Sequence, residues 1–421
     1  MVDERTGKAI EAVWRIESAR LVAGLARMVR DVGLAEDLAQ DALLAALERW
    51  PQSGMPDNPG AWLMATAKNR AIDLLRRGAT LERKQEEMAR DIGVQMAMDG
   101  ADLEAALDDE VGDDLLGLIF TCCHPVLSAE ARVALTLRLL GGLTTPEIAR
   151  AFLARESTVA QRLVRAKRTL RDANVPFEVP RGEELAARLP SVLEVIYLVF
   201  NEGYAASAGE DWIRPALCEE ALRLGRILAE LAPAEPEAHG LIALLEIQAS
   251  RTRARLGPGG EPVLLLDQDR SRWDLLLIAR GLRALERAKG LRTPLGPYGL
   301  QAAIAACHAR ARSADETDWV RIAALYDALS QIAPSPVVEL NRAVALTMAF
   351  GPEAGLELLD QIAAEPALAD YHLLPSVRGD VLVKLGRHSE AAAEFERAAA
   401  LTENSRERQL LLRRAAESVG A

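Results

Sequence analysis

Cysteine is scarce in this sequence, with four in 421 residues. That is too few for a disulfide scaffold in a chain of this length. Aromatic side chains make up only 4%, and the Ala-, Leu-, Arg- and Glu-rich remainder favours helices over sheets. No apolar run approaches the ~18–20 residues of a membrane span. Residues 1–10 carry charges where a signal peptide would be apolar. A cytoplasmic, reducing setting without membrane contact is therefore expected. What is present is the balance of a globular chain, 50% apolar and 27% charged residues. At ~150 residues per domain the length predicts two or three domains.

The net charge of −12 is unevenly spread. Residues 1–78 balance 11 basic against 11 acidic side chains. Residues 79–114 hold 3 basic and 12 acidic, a net of −9, and residues 115–175 hold 9 basic and 4 acidic, a net of +5. The rest, 27 basic and 35 acidic, is again negative. Whole-chain acidity argues against nucleic acid, but the charge of each segment is the better guide to partners. The acidic stretch, with Gly93, Gly100, Gly112 and the run Asp108-Asp109-Glu110, reads as a solvated tether.

Within the basic segment, a helix near 129–140 ends at Gly141-Gly142, where a left-handed residue is needed. Thr144-Thr145-Pro146-Glu147 spaces Thr and Glu as a capping box, with Pro in the first turn of a short helix. A second helix follows over about 157–171. At ~100° per residue, Val159, Leu163, Ala166 and Leu170 share one face that must be buried. Thr158, Gln161, Arg165 and Arg168 project from the opposite side, flanked by Arg162, Lys167 and Arg171. An apolar back with a hydroxyl, amide and guanidinium front suits a DNA major groove. The short capped helix, the turn and this helix form a helix-turn-helix. A solvated basic face on an ordinary helical hairpin is the bland alternative.

Residues 35–50 form an amphipathic helix, with Leu38, Ala42, Ala45 and Ala46 towards the core and Asp37, Asp41 and Glu48 outward. Asn58 caps the next helix, and Pro59 fits its first position. Along 62–77, Leu63, Met64, Ala67, Ala71, Leu74 and Leu75 form the expected buried side. Trp62, Thr66, Asn69, Asp73 and Arg76 fall on the other, bordered by Arg70 and Arg77. An aromatic, an amide and guanidinium groups on one face can stack on unpaired bases and hold phosphates. The competing reading packs Trp62 inward.

Taken together, these segments resemble a known family. Ala35-Glu36-Asp37-Leu38-Ala39-Gln40-Asp41 resembles region 2.2 of sigma-70-type transcription initiation factors. Pro59-Gly60-Ala61-Trp62-Leu63, continuing through Asn69-Arg70-Ala71-Ile72-Asp73-Leu74-Leu75-Arg76-Arg77, resembles regions 2.3 and 2.4. Residues 143–170, with Ser157-Thr158-Val159 and Gln161-Arg162-Leu163-Val164-Arg165-Ala166-Lys167, resemble region 4. Region 2 joined by a short linker to region 4, with no region 1.1 or region 3 between, is similar to the extracytoplasmic-function subfamily. The resemblance implies that Asp37, Leu38, Gln40, Asp41 and Leu44 dock on the β′ clamp helices of RNA polymerase core. It assigns Trp62, Lys68, Asn69, Arg70, Asp73, Arg76 and Arg77 to the −10 element of promoter DNA. It assigns Thr158, Gln161, Arg162, Arg165, Lys167 and Arg168 to the −35 element, and region 4 also to the β flap. Two departures stand out. Leu153 occupies a turn position often held by Gly in the family, where a left-handed backbone would cost Leu roughly 1 kcal/mol. Ala160 occupies a place often basic in relatives.

Some 250 residues follow the sigma-like part. Pro176, Pro180 and Pro190 mark the joint, and helices are expected over 193–202, 213–231, 236–255, 273–289, 300–313 and 317–333. Leu385-Gly386-Arg387-His388 with Ala391, Phe395 and Ala398 resembles the tetratricopeptide consensus, and a looser copy runs from Val337 to Ile362. Such paired helices stack into a concave surface that suits a protein or peptide regulator. With Tyr197-Leu198-Val199-Phe200-Asn201-Glu202-Gly203-Tyr204 and Leu266-Asp267-Gln268-Asp269-Arg270-Ser271-Arg272-Trp273-Asp274, the layout resembles group forty-two of the subfamily. The second motif reads either as a latch or polymerase contact, or as an elaborate helix cap built on Asp269 or Ser271. Cap chemistry is the expected reading.

The five histidines are scattered. Cys122-Cys123-His124 and Cys307-His308 lack the spacing of a metal site. No catalytic residues, metal or cofactor are expected. The expected fold is all-α. A region 2 bundle over 9–78 and an acidic linker over 79–114 precede a region 4 helix-turn-helix over 115–173. A helical extension over 185–290 and tetratricopeptide-like repeats over 291–421 complete it. The function expected is a sigma factor that directs promoter-specific initiation, its C-terminal domain modulating activity or binding a regulator. The alternative is a helix-turn-helix regulator with a tetratricopeptide sensor, acting without sigma function.

Overall fold

Helices supply nearly all the regular structure. The computed structural model describes residues 4–87, 111–152, 154–206, 208–209, 212–291 and 293–420. Leu153 and most of the acidic tether lie outside the described residues. The chain divides into two compact units, Met1–Val195 and Ile196–Ala421.

In the first unit, α1 (Glu4–Val29), α2 (Val32–Ser53) and α3 (Pro59–Glu87) pack on one another. Asp31 caps α2, its Oδ1 accepting from the N–H groups of Gly33 (2.7 Å) and Leu34 (3.0 Å). Asn58 caps α3 by accepting from the Ala61 N–H at 3.1 Å. The core takes Leu25, Leu38, Ala42, Trp50, Leu63, Ala67 and Ala71, all 2% exposed or less. Leu74 and Leu75, expected on the buried side, are instead 44% and 47% exposed. The apolar stripe of α3 outruns the helices that cover it.

Next come α4 (Val111–Cys122), which packs on α1, and α5 (Ala129–Leu139), capped by Ser128. Gly142, at φ +64°, turns the chain after α5. The capping box opens α6 (Thr145–Ala151): the Thr144 N–H donates to Glu147 Oε2 at 2.7 Å, and the Glu147 N–H returns to Thr144 Oγ1 at 3.4 Å. The helix α7 (Glu156–Asp172) follows. The boundary between units falls within α8 (Glu183–Tyr204). Its first half belongs to the first unit, because Arg188 donates to the Phe120 carbonyl at 3.0 Å and Glu194 pairs with Arg132 at 3.1 Å. The first unit therefore extends well past residue 173.

The second unit continues through α9 (Pro215–Leu231), α10 (Pro236–Ala249), α11 (Leu275–Gly290), α12 (Pro297–Arg310), α13 (Trp319–Ile332), α14 (Pro336–Phe350), α15 (Pro352–Ile362), α16 (Leu373–Lys384), α17 (His388–Leu401) and α18 (Ser405–Val419). Sequential helices pack in pairs. Small residues sit at the crossings: a Cβ on Gly379 of α16 would lie 2.7 Å from the Phe395 ring of α17. One short parallel pairing, β1 (Ala208–Gly209) with β2 (Glu403–Asn404), departs from the helical pattern. Buried Asn404 reinforces it, donating to the Ala206 carbonyl at 3.2 Å while its Oδ1 caps α18. A loop near the start of this unit is thus tied to one near its end. The stretch expected as one helix over 236–255 stops at Ala249, and a short 3₁₀ turn (Thr252–Ala254) follows.

The charged motif before α11 is cap chemistry. Asp269 Oδ1 accepts from the Ser271 N–H at 2.9 Å. Asp274, which sequence reasoning passed over, caps α11 through the N–H groups of Leu276 (2.9 Å) and Leu277 (3.1 Å). Arg270 donates to the carbonyls of His308 (2.6 Å) and Ala311 (2.7 Å).

At the start of α10 the chain approaches α12 so closely that a Cβ on Gly240 would lie 2.7 Å from the Gly299 nitrogen and 2.9 Å from its Cα. Backbone cannot swing aside as a side-chain tip can. Gly240→Val should therefore cost about 3 kcal/mol and lower Tm by roughly 6–12 °C. Thermal denaturation of the variant checks this, and an unchanged Tm would contradict the close crossing.

Candidate nucleic-acid and polymerase interface

The helix α7 buries Val159, Leu163, Ala166 and Leu170, the face its periodicity predicts. Thr158, Gln161, Arg165 and Arg168 are exposed opposite it, and Arg162 is half-buried. Among the described residues Arg168 reaches only Asp172, one turn on, at 3.3 Å. Such an exposed pair constrains the side chain little.

Lys167 is engaged differently. Its ammonium pairs with Glu36 of α2, whose carboxylate also accepts from Arg138 Nε at 2.6 Å and from Gln40 Nε2 at 2.7 Å. The Glu36 side chain is only 5% exposed. Beside it, Arg171 Nε donates to Asp31 Oδ2 at 2.5 Å. Burial by itself would raise the Asp31 pKa. The Arg171 hydrogen bond and charge, with the two capping amides, outweigh it and hold the carboxyl below its usual range. Two acidic and three basic groups thus bind α2 to α5 and α7. Asp31, Glu36, Arg138 and Arg171 are functional candidates the sequence reading missed as a group. One signal was available: Glu36 falls in the buried stripe of α2, at helical spacing from Val32 and Ala39. A carboxylate there demands a cationic partner, but that partner, Arg138, lies 102 residues away.

Of the residues assigned to the polymerase, Asp37 and Asp41 are exposed, Leu44 is 57% exposed, and Gln40 is half-buried. Leu38 is a correction: at 2% exposed it is filled into the α1–α3 core and has no surface to offer. Asp41 pairs with Arg70 of α3 at 3.1 Å, which joins the polymerase-assigned and −10-assigned sets on one surface. On α3, Asn69, Asp73 and Arg76 are exposed, while Trp62, Thr66, Lys68 and Arg70 are half-buried. Trp62 leans edge-on against the buried Trp50 ring at 5.3 Å. Its packing therefore combines the two sequence readings: one edge is held by the core and part of the ring stays accessible. The Arg77 side chain lies outside the described residues.

The thiols are not reactive groups. All four cysteines are buried, and burial pushes the Cys123 thiol up to about 12. His124 Nδ1 accepts from the Val126 N–H at 3.2 Å, a turn contact. Among the described residues no group of three or more His, Cys, Asp or Glu side chains is placed to hold a metal ion, and no helix is long and apolar enough to cross a membrane.

Comparison with known proteins agrees with this layout. Sigma-70 region 2 matches residues 16–80, and Sigma-70, region 4 matches residues 118–170. A family of unknown function, DUF6596, matches residues 188–289. The first unit thus carries matches to both sigma-70 regions, in this order. The uncharacterized protein R00370 of Rhizobium meliloti (strain 1021) is 43% identical over 392 residues, 92% of this chain and 90% of that one. The chain belongs to the same family as R00370. A probable ECF RNA polymerase sigma factor, SigI of Mycobacterium tuberculosis (strain CDC 1551 / Oshkosh), is 30% identical over 174 residues, 40% of this chain. The chain spans 57% of the length of SigI. A probable RNA polymerase sigma factor, RfaY of Xanthomonas campestris pv. campestris, is 29% identical over 145 residues, 34% of this chain and 35% of its own.

Proposed function

We propose that this chain is a cytoplasmic, non-catalytic sigma factor of the extracytoplasmic-function type, with the group forty-two layout. It binds RNA polymerase core, directs it to a subset of promoters and helps open the −10 region. In this reading the surface of Asp37, Gln40, Asp41 and Leu44 meets the β′ clamp helices. Trp62, Lys68, Asn69, Arg70, Asp73, Arg76 and Arg77 meet the −10 element, and Thr158, Gln161, Arg162, Arg165 and Arg168 meet the −35 element. Region 4 also meets the β flap. The helical extension modulates activity or receives a protein or peptide regulator on its tetratricopeptide-like repeats.

The observation that carries the reading is the pairing of two exposed faces in one sigma-type unit. The face of α3 offers a half-accessible Trp62 beside Asn69 and Arg76, and the face of α7 offers Arg165 and Arg168. An operator binder needs only the second. Lys167 joins the −35 set once it leaves Glu36. The two element names place the targets about 25 base pairs apart, on the order of 80 Å of B-DNA. Here α3 packs on α2 and α2 is ion-paired to α7, so both faces are held in one compact unit. In this reading region 4 parts from region 2 by breaking the Glu36–Lys167 and Asp31–Arg171 pairs to span both elements.

Run-off transcription with purified core polymerase, the full chain and promoters of neighbouring genes tests the proposal. Specific transcripts that appear only when the chain is added are the expected result. Silence, together with tight promoter binding by the chain alone, would favour the regulator instead.

A further inference from the structure

The second unit holds a cavity of about 260 Å³ between α8, α10, α12 and α13, with Trp273 at its side. It is larger than the roughly 150 Å³ apolar cavity that admits benzene. Its lining is chemically lopsided. Among the described residues Arg251 is the one cationic side chain in the lining, and none of the lining side chains is a carboxylate. Among the described residues Arg251 has no acidic partner. It donates to Gln248 Oε1 and lies 5.8 Å from the centres of the Tyr204 and Trp273 rings.

Two further polar atoms in the lining residues are buried without a hydrogen-bond partner among the described residues: the Trp273 indole N–H and His308 Nδ1. Trp273 is 5% exposed and His308 9%. Burial, with the charges of Arg251 and Arg270, lowers the His308 pKa to about 4, so the ring is neutral at pH 7. The lining also includes the apolar side chains of Phe200, Leu244, Ile247 and Ile304.

We propose that this cavity binds a small organic monocarboxylate. The carboxylate accepts from Arg251, and its hydrocarbon body packs on the apolar side chains of the lining. A single guanidinium with neutral donors matches one negative charge. A phosphate dianion calls for more cations or a cradle of backbone amides, and the lining provides one cation. The size fits a ring or short chain carrying one acidic group. This site is separate from the DNA and polymerase surfaces of the first unit and stands whether or not the sigma reading holds.

The test is calorimetric titration of the full chain with benzoate, 4-hydroxybenzoate and butyrate, and with benzamide as the uncharged counterpart of benzoate. At least one acid should bind saturably, with benzoate about tenfold or more tighter than benzamide, the difference expected of a charge-assisted hydrogen bond. Arg251→Met should weaken binding by a similar factor. Ala305→Leu fills the cavity without removing a polar group, so it serves if Arg251→Met fails to fold; it should abolish binding. The proposal is overturned if no acid binds the wild type, if benzamide binds as well as benzoate, or if Ala305→Leu leaves binding intact. Transcription plays no part in the readout, so failure here and failure of the sigma reading are distinguishable.

Discussion

Exchanging Arg165 and Arg168 together for alanine should reduce promoter-directed transcription about a hundredfold, since each such contact is worth about 1–3 kcal/mol. Both side chains project from the exposed front of α7 and leave its buried back untouched. The one ion pair lost, Arg168 with Asp172, is exposed on both sides and contributes at most about 1 kcal/mol. The melting temperature should therefore hold while transcription falls. Across a salt series, two lost phosphate contacts would lower the slope of log affinity by about two, whereas loss of base contacts would change promoter preference instead. Transcript levels equal to wild type at matched protein concentration would remove α7 as the −35 reader. Val164, also exposed on α7 at 66%, offers a control whose replacement by alanine should matter little.

Glu36→Ala carries the second large effect, on stability. It leaves Arg138 and Lys167 facing a partly buried pocket with no counter-charge, where breaking such a pair typically costs about 3–5 kcal/mol. For a unit of this size that corresponds to a fall of roughly 6–20 °C in Tm. The two cations are 23% and 21% exposed, so each can turn partly to solvent, which places the expected value at the lower end. The triple change Glu36→Leu, Arg138→Leu and Lys167→Met removes all three charges and should recover much of the loss, because apolar packing replaces the ion pairs. Melting curves of the two variants decide the matter. If Glu36→Ala melts like wild type, the carboxylate does not tie α2 to α5 and α7 in solution.

Much of the first unit was legible because its signals are local. The back of α7 follows from a 3.6-residue period, the start of α6 from Thr144 and Glu147 three apart, and the end of α5 from a glycine that must adopt a positive φ. Each depends on neighbours within a turn or two. The exposed face of α7 was readable for the same reason, since whichever side is not apolar is left to solvent. Leu74 and Leu75 misled because periodicity reports a stripe but not how far its covering helices reach. Leu38 was misassigned because a motif match carries positions over without asking which of them the bundle buries.

The sequence by itself determined the helical content, the order of the two sigma regions, the caps and the basic face of α7. These arise from backbone propensity and side-chain spacing along one element, and they act whatever the rest of the chain does. Only the tertiary structure decided the Glu36, Arg138 and Lys167 cluster, the tie between the loops at 208–209 and 403–404, and the cavity beside Arg251. Each joins residues tens to nearly two hundred positions apart. Such contacts form only where folding removes water and brings together charges or polar atoms that must then satisfy one another, and no short-range pattern records which partner is reached.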